Sequence, residues 1–339
     1  MKLKCLGIES TAHTFGSAVV DDKGNVFSNE RDLFTTEEGG MKPFDVAEHH
    51  VKVCDEIIKR ALDKANCKIK DIDLIAFSQG PGLGQALKIG AYASRVLALN
   101  FKKPIVGVNH CIAHQSIGEL KTCAKDPVLL YASGANTQII AYDGGKYRLF
   151  GETLDIGVGN FLDSFARYLG LGFPGGPKIE ALARNGKKLI ELPYVVKGMD
   201  VSFGGLLTNL KTKWNSGKYA KEDLCYSLQE TAFAMLVEIS ERAMAHCEKN
   251  ELVIGGGVGC NKRLQEMCKI MCDEYGGKFY CPENQFLVDN AAMIAWQGIL
   301  EYNAGKRQKI SETQVLPYWR TDDVVVNWKK EVKLVASKV

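Results

Sequence analysis

The stretch KLKCLGIESTAHTFGSAVVDDKGNVFSNE, residues 2–30, sets the secondary-structure pattern of the chain. A polar segment at residues 9–14 and a turn at residues 22–25 interrupt its apolar runs, which predicts strands joined by hairpins. The stretch VLLYASGANTQIIAYDGGKYRLFGET, residues 128–153, repeats the succession of strand, polar turn, strand, glycine turn and strand. This repetition predicts a duplicated domain, with strands at Lys2–Glu9, Ser17–Asp21, Val26–Glu30, Val128–Ser133, Gln138–Tyr142 and Tyr147–Thr153.

Helices alternate with further strands outside these hairpins, which indicates an α/β fold. Apolar residues recur at helical spacing after each of the next strand-like runs. The expected elements are helices at Phe44–Ala65, Ala86–Phe101 and Ile112–Leu120, and strands at Leu74–Ser78 and Ile105–Val108. We expect halves at residues 1–125 and 126–325, an insertion near residues 185–222, and a tail at residues 326–339.

The composition is typical of a soluble globular protein, with 46% apolar and 24% charged residues among 339. The sequence contains no uncharged apolar run of about 18 residues and no signal-peptide pattern, so we expect a cytoplasmic protein without a membrane span. The net charge of +3 is too small to indicate nucleic-acid binding by itself. The 11 cysteines form no CxxC pair, and we expect them to be reduced.

Two histidines, His110 and His114, stand four residues apart directly after a predicted strand. Residues at this spacing share one helix face, so both imidazoles can reach one metal ion. The alternative is a chance pair of surface or capping histidines. The metallopeptidase motif HExxH is absent, because Cys111 occupies the position of its glutamate.

Asp289 precedes an apolar helical segment, residues 291–296. Its carboxylate either caps that helix or points into a cleft. Together with His110 and His114 it would form a site with open positions, suited to Fe(II), Mn or Zn.

Three further segments have the character of ligand-binding loops. The run Leu252–Asn261 passes from a strand into glycines, which allow a backbone to approach a ligand closely. The polar turn after Tyr131 could hold phosphate oxygens, while Asp163 and Glu180 are candidates for a ribose diol. Tight structural turns and surface carboxylates are the alternatives.

Ten short stretches together resemble the universal tRNA threonylcarbamoyladenosine transferase family, once labelled O-sialoglycoprotein endopeptidase. The archaeal and eukaryotic branch, the catalytic subunit of the KEOPS complex, is the most similar. The stretches are GIESTAHTFG, SQGPGLGQALKIG, VNHCIAH, YASGANTQ, GVGNFLDSFAR, GFPGGPKIE, SFGGLLTNLK, VIGGGVGCNKRL, DNAAMIA and YWRTDDV. The resemblance implies a two-lobe, actin-like ATPase fold of the RNase H-like class, with nucleotide and metal in the cleft between the lobes.

The resemblance also implies roles for individual residues. His110, His114, Tyr131 and Asp289 would hold one divalent metal per subunit, with Fe(II) preferred to Zn. The phosphate and acyl cradle would be Tyr131, Ala132, Ser133, Gly134 and Ala135, and the nucleoside contacts would be Asp163, Gly176, Glu180 and Asn261.

The implied activity transfers a threonylcarbamoyl group from threonylcarbamoyl-AMP to the exocyclic amine of the adenosine just after the anticodon, in tRNAs that read ANN codons. Implied ligands are an adenine nucleotide, either that adenylate or ATP, and tRNA. Implied partners are the other KEOPS subunits, including a small atypical protein kinase and a dimerising small subunit, with a separate enzyme that forms the adenylate. The alternatives are an HxxxH-type metallopeptidase and a non-catalytic ATP-binding scaffold.

Overall fold

The structure, a computed structural model, describes residues 3–36 and 41–329. Residue 2 of the first predicted strand and residues 330–339 of the predicted tail lie outside the described residues. Among the described residues, no helix combines the length and the apolar character needed to cross a bilayer.

The first sheet has five strands in the order β3-β2-β1-β4-β5. Strands β1, β2 and β3 form an antiparallel meander, and β4 and β5 continue the sheet parallel to β1. Their bounds are Lys4–Glu9, Thr14–Asp21, Val26–Leu33, Leu74–Gly80 and Ile105–Asn109.

The second sheet repeats this arrangement with the order β8-β7-β6-β11-β12. An antiparallel meander of β6, β7 and β8 is again extended by two parallel strands. Because two sheets of the same topology recur along one chain, the predicted α/β class with two similar lobes is confirmed. The bounds are Val128–Ala132, Thr137–Asp143, Lys146–Glu152, Glu251–Gly255 and Lys278–Tyr280, with a small hairpin of β9, Val196–Lys197, and β10, Asp200–Val201.

The central strands of each sheet are buried on both sides, because helices cover both faces. Helices α1 and α2 pack on one face of the first sheet, and α3 and α10 pack on the other. The long helix α7 forms the centre of the second core with α4, α5, α6 and α8. In the described part of the chain the helices are α1 Pro43–Lys64, α2 Gly84–Phe101, α3 His110–Lys121, α4 Val158–Tyr168, α5 Gly176–Ala183, α6 Gly204–Asn215, α7 Lys221–His246, α8 Lys262–Tyr275, α9 Asn284–Leu287 and α10 Ala291–Asn303.

Several elements begin one to three residues earlier than the sequence pattern predicts, and two of them bear on the site. Strand β2 starts at Thr14, because Thr14 already pairs with Leu33 of β3. Helix α3 starts at His110, two residues before the predicted start at Ile112, because the Asn109 side chain accepts the first free backbone amides of the helix. His110 is therefore itself helical and holds a fixed direction.

The segment expected to be an insertion contains structure that belongs to the core. Helix α6 buries Leu206 and Leu210 completely against the second lobe. Helix α10 lies in the segment expected to form the second half, but it packs against β1, β2 and α3 of the first lobe. The chain therefore returns to the first lobe after it completes the second sheet.

We predict that Gly7→Ala destabilises the protein, because Gly7 is where β1 touches α10. A Cβ atom there would collide with the carbonyl oxygen of Ala291 and lie 2.7 Å from the amide nitrogen of Ala295. Overpacking of this kind costs about 1–3 kcal/mol, or more where the backbone has to move. Urea denaturation should give a lower midpoint than wild type. Gly205→Ala in α6, where a Cβ meets nothing within 4 Å, is the control and should not lower it; equal midpoints for both variants would contradict the packing argument.

Candidate metal centre

Four side chains from three separate elements meet between the two lobes. His110 and His114 lie on the first turns of α3, directly after β5. Tyr131 lies near the end of β6, and Asp289 stands two residues before α10 begins. The strands end where the helices begin, so this edge of the sheets gathers residues that are far apart in the sequence.

The two histidines point at a single carboxylate oxygen. The Nε2 atoms of His110 and His114 each lie 3.4 Å from Oδ1 of Asp289. The ligand atoms of these three residues all lie within 4.8 Å of one another, and the Tyr131 hydroxyl is 3.0 Å from Nε2 of His110. The structure thus brings together all four residues that the resemblance assigns to one metal.

His114 provides a direct test of whether these residues fit a metal ion. Its side chain is completely buried, yet neither ring nitrogen makes a hydrogen bond. A buried polar atom without a partner costs about 1–3 kcal/mol. A cation bonded to Nε2 removes that cost at one of the two nitrogens, and nitrogen and carboxylate donors are those that divalent transition metals prefer. The residues present therefore fit such an ion.

The electrostatics of the cluster favour a cation. Burial lowers the pKa of His114, so its imidazole is neutral and has a lone pair for a metal. Burial acts to raise the pKa of Asp289, but contacts with His110 and His114 outweigh it and hold that pKa well below its usual value. Burial raises the pKa of the Tyr131 phenol, which stays protonated in the absence of a metal.

Glu9 is a member of this site that the sequence did not identify. It is the last residue of β1, fully buried, and its Oε2 atom lies 3.0 Å from Nδ1 of His110. Its other oxygen accepts a hydrogen bond of 2.6 Å from the Thr11 amide. Because Nδ1 of His110 faces this carboxylate, Nε2 is the ring nitrogen left for a metal. The sequence signal was limited to a carboxylate at the end of an apolar strand.

A buried polar network joins the helix of the histidines to the helix that follows Asp289. Ser116 of α3 donates to Gln297 of α10 over 2.5 Å, and Gln297 donates to Glu301 over 2.7 Å. Lys306 donates to Glu301 over 2.6 Å and to the Gly107 carbonyl, in the strand before His110, over 2.7 Å. The Ser116–Gln297 contact ties α3 to α10, and Lys306 ties the end of α10 to β5, so the network holds the elements of the histidines and of Asp289 together.

The predicted phosphate cradle is a tight turn beside the metal centre. The Ser133 amide and hydroxyl both donate to the Asn136 carbonyl. Helix α4 begins against this turn, since the Gly159 amide donates to the Ser133 carbonyl over 3.0 Å. A Cβ at Gly159 would lie 2.7 Å from the Gly134 Cα, so only glycine allows this approach. Gly134 and Ala135 themselves are exposed to solvent, as a ligand-binding backbone must be.

Four residues are predicted to contact the nucleoside. Asp163 lies on α4, Gly176 begins α5, Glu180 lies within α5, and Asn261 directly precedes α8. Asp163 accepts a 2.7 Å hydrogen bond from the Gly175 amide next to Gly176, and burial raises its pKa. Glu180 accepts the Lys262 amide at 3.3 Å. It lines a cavity of about 530 Å³ together with Ala183, Arg184, Tyr226, Gln229, Lys262 and Arg263.

Asn261 has mainly a structural part in this arrangement. Its carbonyl oxygen caps α8 by accepting the Arg263 and Leu264 amides, and its amide donates to Gln229 over 2.9 Å. A nucleoside bound near α8 would contact the start of that helix, which the Asn261 side chain holds in place. His49 and His50, predicted to be structural, contact Asp32 and the Ala12 carbonyl, respectively.

Comparison with solved structures identifies the class of fold. The structure aligns with T. kodakarensis HypF with a TM-score of 0.64 at 12% identity, covering 90% of this chain and 48% of HypF. It aligns with component A of Acidaminococcus fermentans (R)-2-hydroxyglutaryl-CoA dehydratase with a TM-score of 0.57 at 13% identity, covering 89% of this chain and 99% of that one. At such identities the likeness concerns the fold alone, and it confirms the two-lobe, actin-like ATPase class.

Sequence comparison identifies the family within that class. The sequence model described as tRNA N6-adenosine threonylcarbamoyltransferase matches residues 24–296. The chain is 56% identical over 323 residues to the protein of that name from Thermococcus kodakarensis, covering 95% of this chain and 99% of the relative. The chain belongs to the tRNA N6-adenosine threonylcarbamoyltransferase family.

A second group of relatives is longer than this chain. A probable bifunctional tRNA threonylcarbamoyladenosine biosynthesis protein of Methanocaldococcus jannaschii is 52% identical over 335 residues, covering 99% of this chain but 62% of the relative. The relatives carry transferase or biosynthesis names, so the comparisons support neither the metallopeptidase nor the scaffold alternative.

We predict that His114→Ala removes the metal-binding ability while the fold survives. The variant loses one ligand atom, so affinity should fall by more than the roughly 10–100-fold typical of changes to residues around a metal's ligands. Elemental analysis after loading with Fe(II) or Zn(II), with circular dichroism as the folding check, measures both effects. His246→Ala, at an exposed histidine of α7, is the matched control. Wild-type metal content in His114→Ala would contradict the assignment.

Proposed function

We propose that this protein transfers a threonylcarbamoyl group from threonylcarbamoyl-AMP to the exocyclic amine of the adenosine just after the anticodon of tRNAs reading ANN codons. The observation that carries the proposal is the preorganised cluster of His110, His114, Tyr131 and Asp289 in the cleft of an actin-like fold, beside an exposed glycine turn. Membership of the transferase family supports the same reaction.

The reaction is an acyl transfer with a good leaving group. The adenosine amine forms a bond to the carbamoyl carbonyl carbon, and the bond from that carbon to the AMP phosphate oxygen breaks. AMP leaves with the electron pair, and the amine loses one proton. Because a phosphate is a weak base, it departs readily, and positioning of the two reactants supplies much of the rate.

The chain's own residues bind and orient the adenylate. The exposed backbone of residues 133–135 faces the phosphate, and Asp163 and Glu180 accept from the ribose hydroxyls. His110, His114, Asp289 and Tyr131 would hold one divalent metal, with Fe(II) preferred to Zn, and the ion would supply electrostatic stabilisation of the phosphate and acyl oxygens. Glu9 keeps the Nε2 atom of His110 directed at the ion through its contact with Nδ1.

Reconstitution with a chemical readout tests the proposal. The purified chain is mixed with an adenylate-forming enzyme, threonine, bicarbonate, ATP, KEOPS-type partner subunits and a tRNA that reads an ANN codon. The tRNA is then digested and its nucleosides are analysed by mass spectrometry. Threonylcarbamoyladenosine should appear with wild type and not with Asp289→Ala. Hydrolysis of a peptide in place of tRNA modification would overturn the proposal.

The isolated chain has a net charge of only +3, which is little for binding a polyanion such as tRNA. The proposal therefore includes partner proteins. We propose that a KEOPS-type small kinase and a dimerising small subunit act with it in the cytoplasm. Exposed apolar side chains on α1 and α2, among them Val51, Tyr92 and Val96, give a protein partner a surface to cover. Binding of tRNA should be weak for the isolated chain and tighter in the assembly.

We predict that charge reversal at Lys211 and Lys213 weakens tRNA binding. Both lysines lie on α6 over aromatic rings, Lys211 over Tyr168 and Lys213 over Tyr219, an arrangement suited to RNA. With each phosphate contact that is lost, tRNA binding releases fewer counterions. The affinity should therefore fall, and the slope of log affinity against log salt concentration should flatten by about one unit per contact. Titration of tRNA at several salt concentrations measures this. Reversal of Lys52 and Lys70, two exposed lysines of the first half, is the control; an unchanged slope for the α6 variant would contradict the contact.

We predict that Glu180→Ala weakens binding of the adenylate by about 1–3 kcal/mol, the contribution of a hydrogen bond to a charged group. Calorimetry with AMP or a non-hydrolysable adenylate measures the change. Glu274→Ala, at an exposed glutamate of α8, should bind as wild type does. Wild-type affinity in the Glu180 variant would exclude the residue from the ribose site.

A further inference from the structure

Gln229 of α7 carries a buried side-chain amide in the wall of the cavity that Glu180 lines. Only 5% of the residue is exposed, and the cavity has a volume of about 530 Å³. Its oxygen accepts from Nδ2 of Asn261 over 2.9 Å, and this is the one hydrogen bond that its side chain makes with the described residues. A polar side chain as buried as this one normally has its donors paired, so the unused amide donors indicate a ligand.

Backbone amides determine which end of the Gln229 side chain is left for that ligand. Oδ1 of Asn261 accepts from the amides of Arg263 and Leu264, which can only donate. The other end of Asn261 is therefore the donor Nδ2, so the Gln229 atom in contact with it is the acceptor Oε1. Reversing either side-chain amide would bring two donors face to face. Nε2 of Gln229, with its two N–H groups, is the end that has no partner among the described residues.

The charges around this cavity do not favour a phosphate group as the ligand of Gln229. Both arginines of the wall are already paired with carboxylates. Arg263 contacts Glu230 through two hydrogen bonds of 2.8 and 2.7 Å, and Arg184 contacts Glu180 at 3.1 Å. The two lysines of the wall are exposed. A phosphate needs cationic groups that are free to pair with it, so the wall at Gln229 suits an uncharged ring with polar edges.

The hydrogen-bonding pattern of Gln229 matches a purine with a 6-amino group. Nε2 can donate to a ring nitrogen of adenine, and the second lone pair of Oε1 can accept from the 6-amino group next to it. Side-chain amides read adenine through such a pair of hydrogen bonds in nucleic acids. A purine with a 6-oxo group presents an acceptor at that edge, opposite the acceptor Oε1. Gln229 therefore favours adenine over guanine and hypoxanthine.

We propose that Gln229 selects the adenine base of the adenylate, with Nε2 donating to a ring nitrogen and Oε1 accepting from the 6-amino group. The inference rests on the proposed function, in which Glu180 in the wall of the same cavity accepts from the ribose, and it adds the residue that distinguishes the base. The metal centre cannot make this distinction, because the phosphates of all nucleotides are alike.

Calorimetry with AMP and IMP on the purified full chain tests the contact. IMP differs from AMP in the base alone, where it has a 6-oxo group. Wild type should bind AMP about 5- to 150-fold more tightly than IMP, the range for one base contact made through two hydrogen bonds. Gln229→Glu keeps an acceptor for Asn261 but loses the two N–H donors. Its affinity for AMP should fall by a similar factor, and the preference for AMP over IMP should disappear.

Two further variants separate the loss of the donors from the added charge. Gln229→Met is similar in length, has neither donor nor charge, and should lose a similar part of the AMP affinity. Gln285→Glu, at an exposed glutamine outside the cavity wall, should bind both nucleotides as wild type does. The urea midpoint of Gln229→Glu should equal that of wild type, because Asn261 keeps its partner.

The outcomes separate this inference from the proposed function. If wild type binds AMP and IMP equally, or does not bind AMP, the base contact is overturned. If Gln229→Glu loses affinity for AMP while Gln229→Met retains it, the added charge causes the loss and the inference is equally overturned. The proposed function is judged by the formation of threonylcarbamoyladenosine in the reconstituted assembly. It fails if none is formed, whereas the calorimetry decides the role of Gln229 in either case.

Discussion

The packing of α10 across β1 and α3 is the contact on which the site depends. Gly7 lets the α10 backbone approach β1 closely, and the network from Ser116 to Glu301 holds α10 against α3. Asp289 stands at the start of this helix, so its position relative to the histidines follows from that packing. The buried imidazole of His114, without a hydrogen bond, lies within this packing.

The rest of the cleft is built from glycine approaches of the same kind. Gly159 lets α4 begin against the turn after β6. Gly256, with φ of 88°, brings the loop after β11 against the Ala132 carbonyl, where no Cβ would fit. Both contacts lie at the carboxyl ends of strands in the second sheet. The glycine-rich stretches therefore serve first to bring loops together, and the ligand-binding surface results from that packing.

Local features of the sequence predicted local features of the site. The spacing of His110 and His114 required one helix face, and the duplicated hairpins required two similar sheets. Long-range contacts had no such signal. The contact of Glu9 with His110 spans 101 residues, and that of Ser116 with Gln297 spans 181. Neither pair has a spacing that the sequence could reveal, since each arises from how β1, α3 and α10 pack. The core role of α6 had a weak signal in Leu206 and Leu210, four residues apart, which the abundance of glycine and lysine nearby obscured.

Because the chain returns to the first lobe, that lobe can complete its fold only late in synthesis. During synthesis the strands β1 to β5 leave the ribosome early, but α10, which helps α3 to bury one face of that sheet, begins 182 residues after the end of β5. Until then the sheet exposes apolar residues such as Cys5, Ala18 and Val106 that α10 later helps to cover. Domains usually fold in order as they emerge; here the amino-terminal lobe lacks α10 until every strand of the second sheet has been synthesised. A truncated product that ends between the two lobes therefore leaves one face of the first sheet covered by α3 without α10.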